Sequence, residues 1–253
     1  MITIKSEREI GTMARAGRVV GDTLLLMREI VKPGMSTEDL DREAEKFIRS
    51  HPGATPSFKG LYDYPKTLCT SIDEEIVHGI PSPKRVLREG QVVSVDVGVC
   101  IDGLHADAAV TIPVGVITPE VRLLLDVTER SLHAGIAAAI AGNHVGDIGH
   151  AVQRVAEAGG YGVVRELVGH GIGTRFHEEP QIPNFGTPRR GAQLKVGMTL
   201  AIEPMITMGG YATHTLKDKW TVVTQDASLA AHFEHTVAVT ATGPRILTIG
   251  DRR

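Results

Sequence analysis

Val92-Val93-Ser94-Val95-Asp96-Val97-Gly98-Val99-Cys100-Ile101-Asp102-Gly103-Leu104-His105-Ala106-Asp107-Ala108-Ala109-Val110-Thr111-Ile112 is the stretch whose reading decides the fold. Val93, Val95, Val97 and Val99 alternate with Ser94, Asp96, Gly98 and Cys100. A period of two is that of a β-strand, whose successive side chains point to opposite faces. Asp102-Gly103 is a strong two-residue hairpin signal, and a second alternating run follows it. With residues 102 and 103 as the turn, 101 faces 104, Gly98 faces Asp107 and Asp96 faces Ala109. Asp96 and Asp107 then share one face as diagonal neighbours, roughly 7–8 Å apart at the backbone. Two carboxylates so placed among apolar neighbours repel each other and resist desolvation. A shared proton, a basic side chain or a metal must neutralise them, and no Lys or Arg lies between Gln91 and Ile112.

The second half of the chain adds similar pieces. Thr199-Leu200-Ala201-Ile202-Glu203-Pro204 reads as a short apolar strand carrying one acid before a proline stop. Phe233-Glu234-His235-Thr236-Val237-Ala238-Val239 reads as a strand with Glu234, Thr236 and Ala238 on one face. Between them lie Gly169-His170-Gly171-Ile172-Gly173 and Phe176-His177-Glu178-Glu179-Pro180. The glycines let backbone and ligand approach His170 closely. As a phosphate loop the segment is weak, because it lacks the G-x-G-x-x-G spacing. Four carboxylates and one imidazole suit a pair of divalent ions, and an oxygen-rich set with one His favours Mn, Fe, Co or Zn. Two such ions can share a hydroxide as nucleophile.

Around this core, Ser6-Glu7-Arg8-Glu9 has the form of a capping box, followed by Ile10, Met13, Gly17, Val20 and Leu24 at helical spacing up to Lys32-Pro33-Gly34. Ser36 caps a second expected helix with Leu40, Ala44, Phe47 and Ile48 as its apolar face. A Pro- and Gly-rich loop is expected from His51 to Pro65. A third helix is expected from Thr118-Pro119 to about Ala141, and a shorter fourth carries Ile148, Val152 and Val155. Leu40, Ala44 and Phe47 match Ile148, Val152 and Val155 at a constant offset of 108, and His78-Gly79-Ile80 recurs as His170-Gly171-Ile172. These matches point to one α/β unit over 1–253, made of two similar halves, about 1–118 and 119–253.

Composition sets the outer bounds. The chain has 253 residues, 42 % apolar and 23 % charged, which is ordinary globular usage. No run approaches 18 apolar residues, so no membrane helix is expected, and the start lacks the layout of a signal peptide. With 27 basic against 30 acidic residues and no clustered basic patch, a nucleic-acid partner is not expected. Two cysteines, Cys69 and Cys100, suggest a reducing cytosol rather than a disulfide framework. Neither reads as a nucleophile, and Cys100 reads as core.

Taken with Ile76-Val77-His78-Gly79-Ile80-Pro81, Asp102-Gly103-Leu104-His105-Ala106-Asp107 and Gly197-Met198-Thr199, these motifs make the chain similar to the type I methionine aminopeptidases over essentially its whole length. The resemblance implies the pita-bread fold, an α/β (α+β) arrangement in which each of two pseudo-symmetric halves packs helices on a curved, mostly antiparallel sheet. It implies that Asp96 and Asp107 hold one divalent cation and His170 and Glu203 a second, with Asp107 and Glu234 bridging. The cations would be two of Co, Mn, Fe, Zn or Ni, and a bridging hydroxide would attack the scissile carbonyl. His177 would donate to the carbonyl oxygen as it becomes tetrahedral, His78 would position the peptide and assist proton transfer, and Glu203 would also shuttle a proton. Phe58, Tyr64, Cys69, Phe176 and Trp220 would line an apolar methionine pocket, with Leu61 in place of an aromatic found in many relatives.

The other eight histidines, His232 among them, are expected at the surface or in satisfied core positions. His105 and His235 should point away from the acids. The expected function is removal of the initiator methionine from nascent chains, at the ribosome, in the cytoplasm, by a monomer. Only 26 positions separate His177 from Glu203, too few for the type II insertion, and no amino-terminal extension is expected. A proline-specific peptidase of the same fold and a non-catalytic binding relative are the alternatives.

Overall fold

The computed structural model describes residues 2–251. Helix α1 (Glu7–Ile30) begins at the capping box: Ser6 Oγ accepts the Glu9 N–H at 3.3 Å, and the Ser6 N–H donates to the Glu9 carboxylate at 2.7 Å. It buries Met13, Val20 and Met27 and leaves the helical register at Val31, two residues before Pro33. Helix α2 (Thr37–Arg49) starts the same way at Ser36 and Asp39. The segment expected to be only loop contains β1 (Ala54–Pro56) and a 3-10 turn at Leu61–Asp63. Strands β2 (Leu68–Ile72), β3 (Glu75–Val77), β4 (Val92–Ile101) and β5 (Leu104–Pro113) follow.

The β4–β5 hairpin has the expected register: Ile101 pairs with Leu104, Gly98 with Asp107 and Asp96 with Ala109. Its turn residues Asp102 (φ 51°) and Gly103 (φ 76°) are both left-handed, as a two-residue turn matching the strand twist requires. β1 and β2 share the other edge of β4, all antiparallel. Pro56, which has no N–H, is tolerated because β1 is a short edge strand.

The second half opens with α3 (Pro119–Ala138), capped by Thr118 and ending three residues earlier than expected, and α4 (Val145–Ala158). The 108-residue offset is visible here. The N–H of Ser36 bonds the Asp39 carboxylate at 3.2 Å, and that of His144 bonds the Asp147 carboxylate at 2.7 Å. The strands are β6 (Gly162–Val163), β7 (Gly169–Gly171), β8 (Glu178–Ile182), β9 (Thr199–Ile202), β10 (Met205–Thr207), β11 (Thr213–Thr215), β12 (Val222–Thr224), β13 (Ala230–His232), β14 (His235–Thr240) and β15 (Gly243–Ile246). They form an antiparallel five-stranded sheet, β15-β14-β9-β7-β8, and a three-stranded sheet, β13-β10-β6. A third small sheet, β11-β12-β3, takes strands from both halves. Helix α1 packs on β4 and β5, and α3 packs on α4 and the strands β9, β10 and β13. One apolar cluster runs through both layers, including Val20, Val95, Leu132 and Val237. No helix among the described residues is long and apolar enough to cross a membrane.

The halves meet along a seam between β5 and residues 232–236. Thr236 Oγ1 accepts the Asp107 N–H at 2.9 Å and donates to its carbonyl at 2.8 Å. Two residues on, the Glu234 N–H donates to the Ala109 carbonyl at 2.9 Å. Two further on, Thr111 Oγ1 accepts the His232 N–H at 2.8 Å and donates to its carbonyl at 2.9 Å. Backbone polar groups that a strand partner would have satisfied are thus met by two buried hydroxyls.

Candidate active site

The acids are placed by two local devices. In the hairpin, Asp107 lies opposite Gly98, where a Cβ would come within 2.7 Å of the Phe176 ring, so the missing side chain leaves room beside the carboxylate. In the second half, β9–β14 and β10–β13 lie on one continuous register, with Ile202 opposite His235 and Met205 opposite His232. The ladder breaks between these pairs. Pro204 has no N–H to give, and the Glu234 N–H goes to Ala109 instead. Glu203 and Glu234 therefore sit just beyond the strands expected to carry them, opposite each other and released toward β4 and β5.

One cavity of about 170 Å³ is lined by every residue the sequence nominates: the donors Asp96, Asp107, His170, Glu203 and Glu234, the imidazoles of His78 and His177, and Phe58, Tyr64, Cys69, Phe176 and Trp220. Asp107, His170 and Glu234 each offer a ligand atom within 4.8 Å of the others. Asp96 Oδ1, Asp107 Oδ1 and Glu234 Oε1 are buried without a hydrogen-bond partner. No Lys or Arg lines the cavity among the described residues. Burial pushes the Asp96 carboxyl up to about 7. Burial and the neighbouring acids push Asp107, Glu203 and Glu234 up as well. Burial holds the His170 imidazole neutral, down to about 3. His170 Nδ1 is 2.9 Å from the Gly171 carbonyl, which assigns the proton to Nδ1 and leaves the Nε2 lone pair facing Glu203 Oε1 at 3.7 Å. Orphaned buried oxygens, an oriented imidazole and no local cation fit a divalent metal site.

The wall beside the acids is apolar. Phe58 meets Phe176 edge-on at 5.3 Å, and Tyr64 meets Trp220 edge-on at 4.9 Å. The Tyr64 hydroxyl is spent on the Leu68 carbonyl at 2.9 Å, and burial keeps the Cys69 thiol protonated, so neither presents a charge. Cys69 pairs with Asp96 across β2 and β4, which sets this wall against the acids. Gly98→Ala would push its Cβ against the Phe58 and Phe176 rings; overpacking of this kind costs about 1–3 kcal/mol. The expected result is a substrate KM raised about tenfold, with metal content unchanged. Steady-state kinetics and metal analysis check it, and an unaltered KM would place the substrate side chain elsewhere.

His78 follows β3 in a left-handed conformation, φ 62°, uncommon for a residue with a side chain. Pairing of Val77 with Val222 brings it near Trp220, ring centroids 6.4 Å apart. Burial lowers its pKa to about 4. His177, also lowered by burial, lies against His170, centroids 4.4 Å apart. Its loop is tied down by Glu178, whose carboxylate accepts Lys5 Nζ at 2.6 Å and the Arg175 N–H at 3.1 Å. Burial raises Glu178, and these donors more than offset it, holding the carboxyl at about 2.

Three features depart from the sequence reading. Tyr62, not among the expected site residues, lines the cavity and stacks on His177 at 5.8 Å from a left-handed backbone position. Cys100, expected in the core, is half-buried. His232 is 2 % exposed, and neither ring nitrogen has a partner; its Nε2 is 3.7 Å from Glu203 Oε2. Alternation run backward from Glu234 puts His232 on the same face, a signal the sequence does carry. His105 and His235 do turn away, to Ser57 and Thr248.

A buried cluster of acids and one oriented imidazole beside an apolar slot is a donor set suited to a metal-dependent hydrolase. Residues 11–241 match metallopeptidase family M24, and the chain belongs to it. The methionine aminopeptidase of Clostridium perfringens (strain 13 / Type A) is 51 % identical over 249 residues, covering 98 % of this chain and 99 % of that protein. The crystal structure of methionine aminopeptidase from Thermotoga maritima superposes with a TM-score of 0.96 at 42 % identity, covering 98 % of this chain and 100 % of that one. Prolidase from Pyrococcus furiosus, 21 % identical with a TM-score of 0.76, shares the fold; this chain covers 66 % of it. The architecture is thus the pita-bread fold, as the sequence motifs imply.

Proposed function

We propose that this protein removes the amino-terminal methionine from nascent polypeptides that carry a small second residue, acting as a cytosolic monomer near the ribosome. The observation that carries this reading is the lining of the cavity, which brings the acid cluster together with an uncharged set of aromatic rings and one thiol. A thioether is apolar, unbranched and polarisable, and makes favourable contacts with aromatic rings, four of which, Phe58, Tyr64, Phe176 and Trp220, line the cavity. Similarity to methionine aminopeptidases over 98 % of the chain supports the same substrate.

Asp96 and Asp107 would hold one divalent ion, His170 and Glu203 a second, and Asp107 and Glu234 would bridge; cobalt, manganese, iron, zinc and nickel all suit these donors. When bound, the ions supply an acidified water and polarise the scissile carbonyl. The chain's own groups do the rest. The floor of carboxylates attracts the free amino terminus and sets the peptide's reading frame from that end. Neutral His177 keeps an N–H to donate to the carbonyl oxygen as charge develops there. His78, neutral and held rigid by its backbone, orients the peptide beside it. Glu203, at the cavity beside His170, would take a proton and pass it to the leaving amine.

His177→Ala should keep its metal and lose about 10²-fold or more in kcat, as loss of an oxyanion donor does. Unchanged turnover would remove His177 from that role. The reading itself is tested with chelator-stripped protein reloaded with each metal and offered Met-Ala-Ser and Ala-Pro-Ala. Metal-dependent release of methionine from the first alone is expected. Cleavage of only the second would move the chain to the proline-specific branch, and cleavage of neither by metal-loaded protein would leave a binding module.

A further inference from the structure

Among the described residues, His232 is a buried imidazole beside the acid cluster to which the proposed reaction gives no part. Both its ring nitrogens lack a partner although the residue is 2 % exposed. Its backbone is fixed. Thr111 Oγ1 grips its backbone N–H and carbonyl at 2.8 and 2.9 Å, and that hydroxyl is itself tied to Ser94 Oγ at 2.8 Å. The ring's Nε2 is turned toward the Glu203 carboxylate, and the His78 imidazole is its other titratable neighbour. His170 Nε2 lies 3.7 Å from Glu203 Oε1, and His232 Nε2 lies 3.7 Å from Oε2. Glu203 is thus held between two imidazoles with different constraints: His170 has its Nδ1 proton committed to the Gly171 carbonyl, whereas His232 has a proton still to place.

We infer that His232 is a positioning residue for Glu203, its Nε2–H directed to Oε2 so that Oε1 stays turned toward the ion that His170 would hold. An acid that is both ligand and proton carrier needs its orientation fixed, and hydrogen bonds to ligating carboxylates do this. The role rests on the metal-site reading above and not on the identity of the peptide substrate.

The test compares chelator-stripped wild type, His232→Leu, His232→Gln and Thr111→Val by calorimetric titration with cobalt(II) and by the visible absorption of the cobalt(II) forms, with circular dichroism confirming the fold. His232→Leu should weaken cobalt(II) binding about 10–100-fold, the size expected for loss of a group that orients a ligand. His232→Gln, which keeps an N–H at that position, should recover to within a few-fold of wild type. Both saturated variants should keep the wild-type absorption envelope. Thr111→Val, which retains the ring but frees its backbone, should move in the same direction as His232→Leu and carries the test if the leucine variant does not fold. Affinity within twofold of wild type for both His232→Leu and Thr111→Val would overturn the inference. So would a glutamine variant as weak as leucine with an altered cobalt spectrum, which would make the imidazole itself a ligand. None of these readouts uses hydrolysis, so failure of methionine release by the unaltered protein would sink the proposed function without touching the role of His232.

Discussion

Asp107→Ala is expected to lose bound metal and peptidase activity together, with kcat/KM down by at least about 10³-fold, or about 4 kcal/mol of transition-state stabilisation. Asp107 stands at the centre of the acid cluster, within reach of both His170 and Glu234, and one of its carboxylate oxygens has no hydrogen-bond partner. Its side chain is therefore held for a ligand rather than for the fold. The fold's hold on this residue is through the backbone, where the Thr236 hydroxyl takes both the N–H and the carbonyl. Alanine keeps those bonds and removes one of several mutually repelling buried charges. The variant should fold at least as well as the metal-free parent while binding no metal at stoichiometric concentration. Metal analysis after desalting, together with a methionine-release assay, checks both halves of the expectation. A variant that stays metal-replete and active would remove Asp107 from the site.

Asp96→Asn should stabilise the metal-free protein, and by more as the pH rises. Burial lifts the folded-state pKa of Asp96 to about 7, against about 3.9 for an unfolded aspartate. Between those values the folded state binds the extra proton, so raising the pH costs wild-type stability. Well below the unfolded value of about 3.9 the aspartate is protonated in both states and this contribution is fully present. It is lost as the pH climbs to about 7, and three pKa units amount to on the order of 4 kcal/mol. The buried histidines His78, His170 and His232 titrate with the opposite sign over part of this range. They are common to both proteins and cancel in the comparison, which leaves Asp96 and its repulsion of Asp107, Glu203 and Glu234, all acting in the same direction. Denaturant unfolding in chelator at pH 4 and pH 8 reads it: near equality at the first, a more stable asparagine variant at the second. Saturating metal should reverse the order at pH 8, because the parent then gains binding energy that the variant cannot. A stability difference independent of pH would mean that Asp96 is not a desolvated carboxylate.

The parts legible from sequence are those fixed by local chemistry. Asp102-Gly103 admits a tight turn, the turn sets the register, and the register places Asp96 and Asp107 on one face of the hairpin. Capping residues mark the starts of α1, α2 and α3 in the same way. What escapes depends on contacts between distant segments. Glu203 and Glu234 read as strand residues, but Pro204 and the bond from Glu234 to Ala109 release both from the ladder. β1 carries little pattern in its three residues and exists because β4 has an edge to fill. Tyr62 reaches the site only because its backbone takes a left-handed turn. His232 reads by default as a surface or core histidine, although its spacing from Glu234 marks the face it shares. The apolar wall is legible only through family resemblance, since an aromatic residue by itself reads equally well as core.

The seam of two threonine hydroxyls and one backbone bond makes the catalytic centre a test of assembly. Thr236, from the carboxyl-terminal half, fixes Asp107 of the amino-terminal half; Thr111, from the amino-terminal half, fixes His232 of the other. Each half thus holds in register a group that the other supplies, and neither contains the full donor set. A chain still emerging from synthesis cannot complete the acid cluster until residues 232–236 dock against β5. Two separately made fragments divided near residue 118 should each be inert and become active only on mixing, with the rate of that gain reporting how fast the halves find each other.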